Sequence, residues 1–340
     1  MVWTADTWVC AAGPARDPRE EVGPVCPLSA RAMRPWMHVP IDAMRDRPNR
    51  FAQLYWSEAS GYGRIHPLPS AEQVDELYRM PGYYTHTDAK PATAPPRSFL
   101  DKLRERLALQ LDAGRPISLR RVHALLPDRS HVCDLGSGSG QLAEQLAALG
   151  YSVVAVDPDP KAAAAARKGV RFFAGSAEQL PAAVRAQQFH AVVLSHVLEH
   201  ARDPDAVLNN AYELLAPGGL LLCEVPNNEA EALHQAGCSW PMLDAPRHLH
   251  FFTARSLRAF CERAGFVVRS TNYAYYSRQF TNAWIARQSE LHSALSQSRA
   301  CQPAPARGSK LHAWRLLART ALAAPEHKYD SIGVVASRPD

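Results

Sequence analysis

Residues 132–140 read VCDLGSGSG, a short apolar run that ends at Asp134 and leads into glycines at every second position. Glycine lacks a Cβ atom, so its backbone can adopt positive φ and approach a ligand closely. A glycine-rich loop between a strand and a helix also points free N–H groups at a bound group. The stretch therefore predicts a strand over 131–135, a ligand-binding loop and a helix over 141–149.

The sequence that follows repeats this strand-then-helix pattern. Strands are predicted over 152–156, 170–173, 191–194, 220–225 and 266–270, and helices over 161–168 and after the capping residues Asp203 and Thr253. Repeated units of this kind predict a doubly wound α/β domain, in which helices cover both faces of a parallel sheet. Such sheets bind ligands at the carboxyl ends of their strands, so we expect the functional residues in the loops that follow the strands.

The regions that flank these units are less regular. The N-terminal region is rich in proline and aromatic residues, with a linker-like PATAPP at 91–96, and a long helical stretch precedes the final strand near 332–336. We divide the chain into an irregular N-terminal module, a core, a helical insertion that is a candidate lid, and a tail with the last strand: residues 1–95, 96–275, 276–325 and 326–340.

The composition excludes several classes of protein. A net charge of +5 over 340 residues is mild and does not indicate a nucleic-acid partner. The first residues have no basic segment followed by a long apolar one, and no stretch approaches the roughly 20 apolar residues of a membrane-spanning helix. The seven scattered cysteines fit unpaired thiols in a reducing compartment. We therefore expect a cytoplasmic protein without membrane or nucleic-acid partners.

Two cofactor classes use a glycine loop of this kind, a dinucleotide and S-adenosylmethionine (SAM). The dinucleotide pattern G-x-G-x-x-G/A occurs formally from Gly138, but Gly136 opens the turn, and counted from there Gln141 replaces the third glycine. Asp134 would repel a pyrophosphate, whereas a carboxylate suits the cationic amine and sulfonium of SAM. These residues favour SAM and leave an NAD(P)-dependent oxidoreductase as the alternative.

Asp157 supports a cofactor that contains adenosine. It ends the second strand, 17 residues after Gly140, where an acidic residue can accept hydrogen bonds from both hydroxyls of a ribose. The sequence DPDP at 157–160 is also a good turn, which is the structural alternative. Ribose binding is common to dinucleotide and SAM sites, so Asp157 does not separate the two classes.

Six motifs follow one another in order: VCDLGSGSG, VVAVDPDP, GVRFFAGSAEQLP, FHAVVLSHVLEHARDP, LLAPGGLLLCEVPN and PRHLHFFTARSLRAFCERAGF. They span about residues 98–275 and resemble class I SAM-dependent methyltransferases, especially the group that includes ubiquinone-biosynthesis and sugar or natural-product methyltransferases. The resemblance implies a seven-stranded sheet, parallel except for one strand. It also implies an enzyme that methylates a small molecule in a biosynthetic pathway, with oxygen favoured as the methylated atom.

The resemblance further implies which residues bind SAM. Those on the methionine and ribose side are Asp134, Gly136, Ser137, Gly138 and Gly140, with Asp157 on the ribose hydroxyls. Ser176 and Ala177 would lie nearest the adenine, and Ser195 would lie beside the sulfonium. Many relatives have an aspartate in place of Ser176, so a charged contact is lost there.

Methyl transfer to a hydroxyl is helped by a general base, and histidine suits this role at neutral pH. By the resemblance, SHVLEH at 195–200 and PRHLHFF at 246–252 border the acceptor. The candidate catalytic residues, in order of preference, are His248, His196 and His200, with His250 and Arg247 beside them. For each histidine alone the alternative is a structural role, bonded to backbone or to Glu199.

We expect no bound metal in this chain. The spacings H-x3-H and H-x-H would allow chelation, but carboxylates are sparse in both histidine segments. Relatives often begin with a zinc ribbon of two C-x-x-C knuckles, and residues 26–29 and 57–70 resemble that layout with serine at three of the four ligand positions. Structural zinc needs four good ligands, so we interpret the N-terminal module as a ribbon that has lost its metal and packs through its aromatic residues.

Two other functions are alternatives to catalysis on a small molecule. The serine replacements, including Ser176, fit a non-catalytic scaffold with the shape of a methyltransferase, whereas the glycine loop and Asp157 argue that the cofactor still binds. RNA methylation would call for a clustered basic face and a motif such as N-P-P-Y after the fourth strand, which the chain lacks. The expected partner is therefore a small-molecule acceptor.

Overall fold

A computed structural model describes residues 23–79, 97–114, 117–159, 169–297 and 309–340. The predicted linker at 91–96 and the predicted helix over 161–168 lie outside the described residues. The described strands are β1 (Arg34–His38), β2 (Ile41–Asp42), β3 (Arg47–Pro48), β4 (Gln53–Ser57), β5 (Tyr62–Ile65), β6 (His131–Leu135), β7 (Ser152–Asp157), β8 (Arg171–Ala174), β9 (Phe189–Ser195), β10 (Leu215–Pro226), β11 (His250–Phe252), β12 (Val267–Ala274) and β13 (Ser331–Ser337).

Seven of these strands form one sheet, in the order β8–β7–β6–β9–β10–β13–β12. Strand β13 runs antiparallel to both of its neighbours, and the other neighbouring pairs are parallel. This arrangement confirms the predicted doubly wound sheet with one antiparallel strand. The chain order reverses between β6 and β9, so the loops that follow these two strands leave in opposite directions and open onto one crevice.

Successive residues of the central strands pack on opposite faces of the sheet. In β7, Val154 and Val156 belong to one core cluster, and Val153 and Ala155 belong to another. Because helices cover both faces, the strand is apolar at each position from 153 to 156 rather than at alternate ones. This burial on both sides explains why the central strands could be predicted from the sequence as continuous apolar runs.

The described helices are α1 (Ala71–Tyr78), α2 (Phe99–Leu111), α3 (Leu119–Leu125), α4 (Gln141–Ala148), α5 (Ala182–Arg185), α6 (Pro204–Leu214), α7 (Glu231–Ala236), α8 (Ala254–Arg263), α9 (Asn282–Gln297), α10 (Lys310–Thr320) and α11 (Pro325–Lys328), with 3₁₀ turns at Gly237–Ser239 and Ser277–Phe280. Asp203 and Thr253 cap α6 and α8 as the sequence predicts. Within the described ranges, none of these helices has the length and apolar character needed to cross a membrane.

The N-terminal module contributes three strands to a second, antiparallel sheet with the order β1–β4–β5–β11. Strand β11 follows the core strand β10 in the sequence, and it pairs Phe252 with Tyr62 and His250 with Arg64. The module therefore has more regular structure than the sequence indicated. Its strands in this sheet have only four or five residues each, too few for a clear alternation of apolar and polar residues. Backbone hydrogen bonds join it directly to the segment that carries the predicted histidines.

The four positions that resemble ribbon ligands lie together in the structure. Cys26 Sγ is 3.2 Å from Ser60 Oγ, and Ser29 Oγ is 3.3 Å from Ser57 Oγ. Burial raises the pKa of the Cys26 thiol, but its hydrogen bonds with Ser29 and Ser60 outweigh burial and lower the pKa below the usual value. A hydrogen-bonded cluster of one thiol and three hydroxyls thus stands where a ribbon would hold a metal.

The C-terminal helices are attached to α2 through a buried ion-pair network. Arg104 donates to Asp101 at 3.1 Å, to the Phe280 carbonyl at 2.8 Å and to Asn282 Oδ1 at 2.7 Å. Lys310 of α10 also donates to Asp101, at 2.7 Å. Since removing one partner of a buried charge pair leaves the other uncompensated, this network holds α9 and α10 against α2.

We predict that the ribbon-like cluster becomes a metal site when its hydroxyls are replaced by thiols. The triple variant Ser29→Cys, Ser57→Cys, Ser60→Cys should bind Co²⁺ with the charge-transfer absorption of thiolate ligands, because four thiolates would converge. The same triple variant with Cys26→Ser should bind Co²⁺ at least about tenfold more weakly, because it retains three thiolates. A thiolate–cobalt band in the unmodified protein would contradict the interpretation of a ribbon without metal.

Candidate active site

A cavity of about 870 Å³ opens at the carboxyl ends of β6 and β9, where the strand order reverses. It brings together eight of the residues predicted from the sequence: Asp134, Gly136, Ser137, Gly138, Ser195, His196, His200 and His248. Four other predicted residues do not line it: Gly140, Asp157, Ser176 and Ala177. The cavity therefore joins the glycine loop to the histidines within one space.

The glycine loop has a backbone that only glycine adopts readily. Gly136, Gly138 and Gly140 have φ angles of 72°, 55° and 73°. A Cβ atom on Gly136 would also collide with the side chain of Val197. Beside these glycines the Ser137 hydroxyl is buried and has no hydrogen-bond partner among the described residues. An open backbone cradle next to an unsatisfied hydroxyl fits a polar ligand group at this loop.

Asp134 lies at the end of β6 with 3% of its surface exposed. Burial, and then the negative charge of Asp157, raise its pKa to about 7. A cation bound nearby would stabilise the carboxylate form, whereas an anion would destabilise it further. Asp134 is therefore suited to the cationic amine or sulfonium of SAM and unsuited to a pyrophosphate.

Asp157 fixes the glycine loop from the neighbouring strand. Its Oδ2 accepts a hydrogen bond from the Gly138 N–H at 2.8 Å, and its carbonyl accepts from Gly175 N–H at 3.2 Å. Ser176 follows directly, and its hydroxyl accepts from the Gln179 N–H at 3.0 Å to form a turn. The residues predicted to contact ribose and adenine thus adjoin the glycine loop at the ends of β7 and β8.

His196 lies between two buried glutamates. Its Nδ1 is 3.0 Å from Glu199 Oε1, and its Nε2 is 3.4 Å from Glu224 Oε1. Burial lowers its pKa, but hydrogen bonds and charge interactions with both carboxylates outweigh this and raise the pKa to about 9. Its φ of 55° is unusual for a residue with a side chain. At neutral pH His196 is therefore a fixed positive charge rather than a free base.

His200 and His248 are held in the opposite state. The Nδ1 atom of His248 lies 3.0 Å from the Met242 carbonyl, and that of His200 lies 3.1 Å from the Arg247 carbonyl. A carbonyl can only accept, so both Nδ1 atoms carry a proton. Burial lowers the pKa of His200 to about 4 and that of His248 to about 3. Both rings are neutral at physiological pH, and each has its lone pair on Nε2.

Arg247 and His250, which lie beside these histidines in the sequence, are both engaged in contacts within the protein. The Arg247 guanidinium donates to both carboxylate oxygens of Asp42, at 2.9 and 3.0 Å, and also to Asp244. His250 does not line the cavity, and its Nδ1 is hydrogen-bonded to the Tyr62 hydroxyl. Arg247 lines the cavity while its guanidinium is bonded to these two carboxylates, and a role as an anchor for the acceptor stays a prediction.

The sequence analysis missed several residues of this site. Glu224 is the single charged residue within the apolar run 220–225, and a charge in a buried strand near its carboxyl end was a signal that could have been read. Arg278 lines the cavity and pairs with the buried Asp330 at 2.8 Å. Arg278 and Asp330 are 52 positions apart, so no local sequence pattern predicts their contact.

Three side chains of the site also have the geometry to hold a metal ion. Ligand atoms of Glu199, His200 and His248 lie within 4.8 Å of one another. Glu199 Oε2 is buried and has no hydrogen-bond partner among the described residues. Neutral imidazoles and a carboxylate are suitable ligands for divalent transition metals. The expectation of a metal-free site, based on sparse carboxylates, thus stays a prediction.

Comparison with known proteins gives one consistent family. Residues 99–271 match a family described as a methyltransferase domain. The ubiquinone biosynthesis O-methyltransferase of Cereibacter sphaeroides is 31% identical over 194 residues, which cover 53% of this chain and 75% of that protein. The protein of the same name from Xanthomonas axonopodis pv. citri is 32% identical over 196 residues, which cover 54% of this chain and 82% of that protein.

Among solved structures, the chain is similar to the crystal structure of Burkholderia thailandensis 1,6-didemethyltoxoflavin-N1-methyltransferase with bound 1,6-didemethyltoxoflavin and S-adenosylhomocysteine. The sequence identity is 17% and the TM-score is 0.46, and the match covers 84% of this chain and 99% of that chain.

We predict that binding of S-adenosylhomocysteine weakens as the pH falls through neutrality. The pKa of Asp134 without ligand is about 7, and the cationic amine of the ligand favours the carboxylate. Below pH 7 binding must therefore displace a proton, and the affinity measured by calorimetry should fall about tenfold from pH 8 to pH 6. Asp134→Asn should flatten this dependence.

The matched control for this prediction is Asp128→Asn, which removes a carboxyl whose side chain is 87% exposed. This variant should keep the pH dependence of the unmodified protein. An affinity of the unmodified protein that does not change between pH 8 and pH 6 would contradict the role given to Asp134.

Proposed function

Because this chain belongs to the methyltransferase-domain family and is a class I SAM-dependent methyltransferase, we propose that it transfers the methyl group of SAM to a hydroxyl oxygen of a small, largely apolar acceptor. Oxygen is proposed as the methylated atom because two neutral histidines, His200 and His248, line the same cavity as the glycine loop. Relatives named ubiquinone biosynthesis O-methyltransferases support a hydroxyl acceptor.

The cofactor would lie over the loop after β6. When bound, SAM supplies a methyl group already activated by sulfonium, so the protein mainly has to align the acceptor oxygen with it. The glycines let the backbone approach, Asp134 pairs with a cationic group, and the Ser137 hydroxyl gains the partner it lacks. We assign the adenosine half to the adjoining strand ends, at Asp157, Ser176 and Ala177, and the sulfonium side to Ser195.

His248, and after it His200, is the proposed general base. The acceptor hydroxyl must lose its proton as its oxygen attacks, and a neutral imidazole with a lone pair on Nε2 can take it. We give His196 a different role from the one suggested by the sequence. Because its pKa is about 9, it stays protonated, and its positive charge favours the ionised form of the acceptor oxygen.

Part of the cavity wall indicates an acceptor with an apolar body. It is lined by apolar side chains from the N-terminal hairpin, from the segment before His248 and from α9: Ile41, Met44, Met242, Trp284, Leu291 and Leu295. Sugar hydroxyls buried against such a wall would lack hydrogen-bond partners, which is costly. A phenol or a polyketide-like molecule therefore fits this site better than a free or nucleotide-linked sugar.

We also propose that the four segments defined from the sequence act as one unit in the cytoplasm. The N-terminal module shares a sheet with β11, and the helical insertion lines the cavity through α9, the feature that makes it a candidate lid. The five cysteines in the described ranges are buried thiols, not disulfides, which fits a reducing compartment.

We predict that the protein binds SAM and S-adenosylhomocysteine with micromolar affinity and does not bind NADH. Asp134 repels a pyrophosphate, so parallel calorimetric titrations with the three ligands should separate the two cofactor classes. NADH binding would contradict this prediction and indicate an oxidoreductase. No binding of any of the three ligands would favour a scaffold without catalytic activity.

Replacing His248 should impair chemistry without affecting the cofactor. With tritiated SAM and a panel of alkylated catechols, His248→Gln should lower kcat about 10²- to 10⁴-fold, because a general base contributes about that much. Its dissociation constant for SAM should stay within about twofold of the unmodified value. His190→Gln, an exposed histidine at the opposite end of β9, is the control and should keep full activity. Unchanged kcat in His248→Gln would exclude this residue as the base.

A further inference from the structure

The N-terminal module reaches the histidines of the cavity through two polar contacts, one buried and one partly buried. Asp42 is paired with Arg247, and the Tyr78 hydroxyl lies 2.7 Å from His200 Nδ1. Both residues precede the part of the chain that matches the methyltransferase family, which begins at residue 99. Family membership therefore assigns no role to either contact.

Asp42 holds the loop that carries His248. Asp42 and Arg247 are 3% and 2% exposed, and the two side chains are joined through both oxygens of the carboxylate. The same Arg247 donates to Asp244, whose carbonyl accepts from the N–H groups of Arg247 and His248 at 2.8 and 3.0 Å. Nη1 of Arg247 donates to both oxygens of Asp42, while Nε and Nη2 donate to Asp244 Oδ1. Charge-assisted bonds on three sides of the buried guanidinium hold it in one orientation and so set the position of the loop.

Arg247 also transmits this constraint to the second histidine. Its main-chain carbonyl lies 3.1 Å from His200 Nδ1, so the loop that Asp42 holds contributes an acceptor for the proton of that ring. The hydroxyl of Tyr78, at the end of α1, lies on the same Nδ1 atom. Because the Arg247 carbonyl can only accept, Nδ1 carries the proton, the Tyr78 hydroxyl oxygen accepts from the same N–H, and the lone pair of the neutral ring lies on Nε2.

The hairpin that carries Asp42 is at the same time part of the cavity wall. Ile41, Ala43 and Met44 line the cavity on either side of Asp42, and the Met44 N–H donates to Asp42 Oδ1 at 3.2 Å. One carboxylate thus connects the surface that contacts the acceptor with the loop that carries a proposed base. A change at Asp42 would move both together.

From these contacts we propose that Asp42 and Tyr78 are positioning residues, supplied by the N-terminal module, that keep His248 and His200 in place with their Nδ1 atoms protonated. The proposal rests on the proposed function, in which these two histidines serve as bases. Asp42 acts through Arg247, and Tyr78 acts directly on His200. Neither residue is assigned contact with the reacting atoms.

The tautomer of each histidine can be measured without a known acceptor. The full chain labelled with ¹⁵N-histidine has 14 histidines, and His200→Gln and His248→Gln identify the two signals in two-bond ¹H–¹⁵N spectra. The unmodified protein should show both rings neutral, with the proton on Nδ1. In Tyr78→Phe the His200 signal should shift toward the Nε2-protonated form, and in Asp42→Asn both signals should shift or broaden.

Activity gives a second readout of the same proposal. With an alkylated catechol as the methyl acceptor, kcat should fall about tenfold to a hundredfold in Asp42→Asn and Tyr78→Phe, because small displacements of a catalytic group have effects of this size. The dissociation constant for SAM should stay within about twofold in both variants. Asp42→Glu, which keeps the carboxylate, should recover part of the loss. The control is Glu76→Gln in the same module. The Glu76 side chain is 60% exposed, so this variant should keep the kcat of the unmodified protein.

The proposal and the proposed function fail in different ways. Unchanged tautomers in both variants would overturn the positioning role, whatever the activity of His248→Gln. Loss of SAM binding together with activity in Tyr78→Phe would also overturn it, because that result indicates a general structural defect. If Asp42→Asn does not fold, Tyr78→Phe still decides the matter, since it removes one oxygen from a half-buried ring. Normal kcat in His248→Gln, with shifted tautomers in Tyr78→Phe, would reject the base and retain the positioning.

Discussion

The pairing of β6 with β7 on one side and with β9 on the other is the constraint on which this molecule depends. Parallel strands must be joined by crossovers, and the crossovers on the two sides of β6 turn away from each other. A crevice opens at that point, and the first loop into it is built from glycines because Gly136 faces Val197 of the turn after β9. The position of the cavity follows from strand order alone, before any catalytic side chain is considered.

Electrostatics then determines which ligand the crevice accepts. Asp134 and Asp157 are buried carboxylates near each other, and the negative charge of Asp157 disfavours the ionised form of Asp134. Glu199 and Glu224 are compensated by the imidazolium of His196, whereas Asp134 has a carboxylate as its neighbour. A ligand that brings positive charge relieves this repulsion, which is the physical basis for preferring a sulfonium cofactor over a dinucleotide at this loop.

The sequence predicted well those features that are determined locally. The glycine loop, the acidic end of β7 and the caps at Asp203 and Thr253 each depend on a few neighbouring residues, and the structure has them where the pattern indicates. Helix α2 shows the limit of such patterns. Its leucines recur at helical spacing, yet Leu100 is 59% exposed. The buried face carries Arg104, because its partners come from residues far along the chain.

The chemical state of the histidines was beyond prediction for the same reason. His196, His200 and His248 look alike in the sequence, but the structure favours the charged form of His196 and the neutral form of the other two. The difference comes from Glu224 on the next strand and from Met242 and Arg247 on a distant loop. The contact between Asp42 and Arg247 spans 205 positions and joins two modules. A contact of this kind is specified by topology, which the local pattern does not contain.

The same contact helps to hold the N-terminal module against the core. A module of this size has too little apolar surface to be stable alone, and small domains commonly rely on a metal or on disulfides. Here the missing stabilisation comes from outside the module, through the pairing of β5 with β11 and through the buried pair of Asp42 with Arg247. The same attachment couples the module to the loop that carries His248, and residues on either side of Asp42 line the cavity.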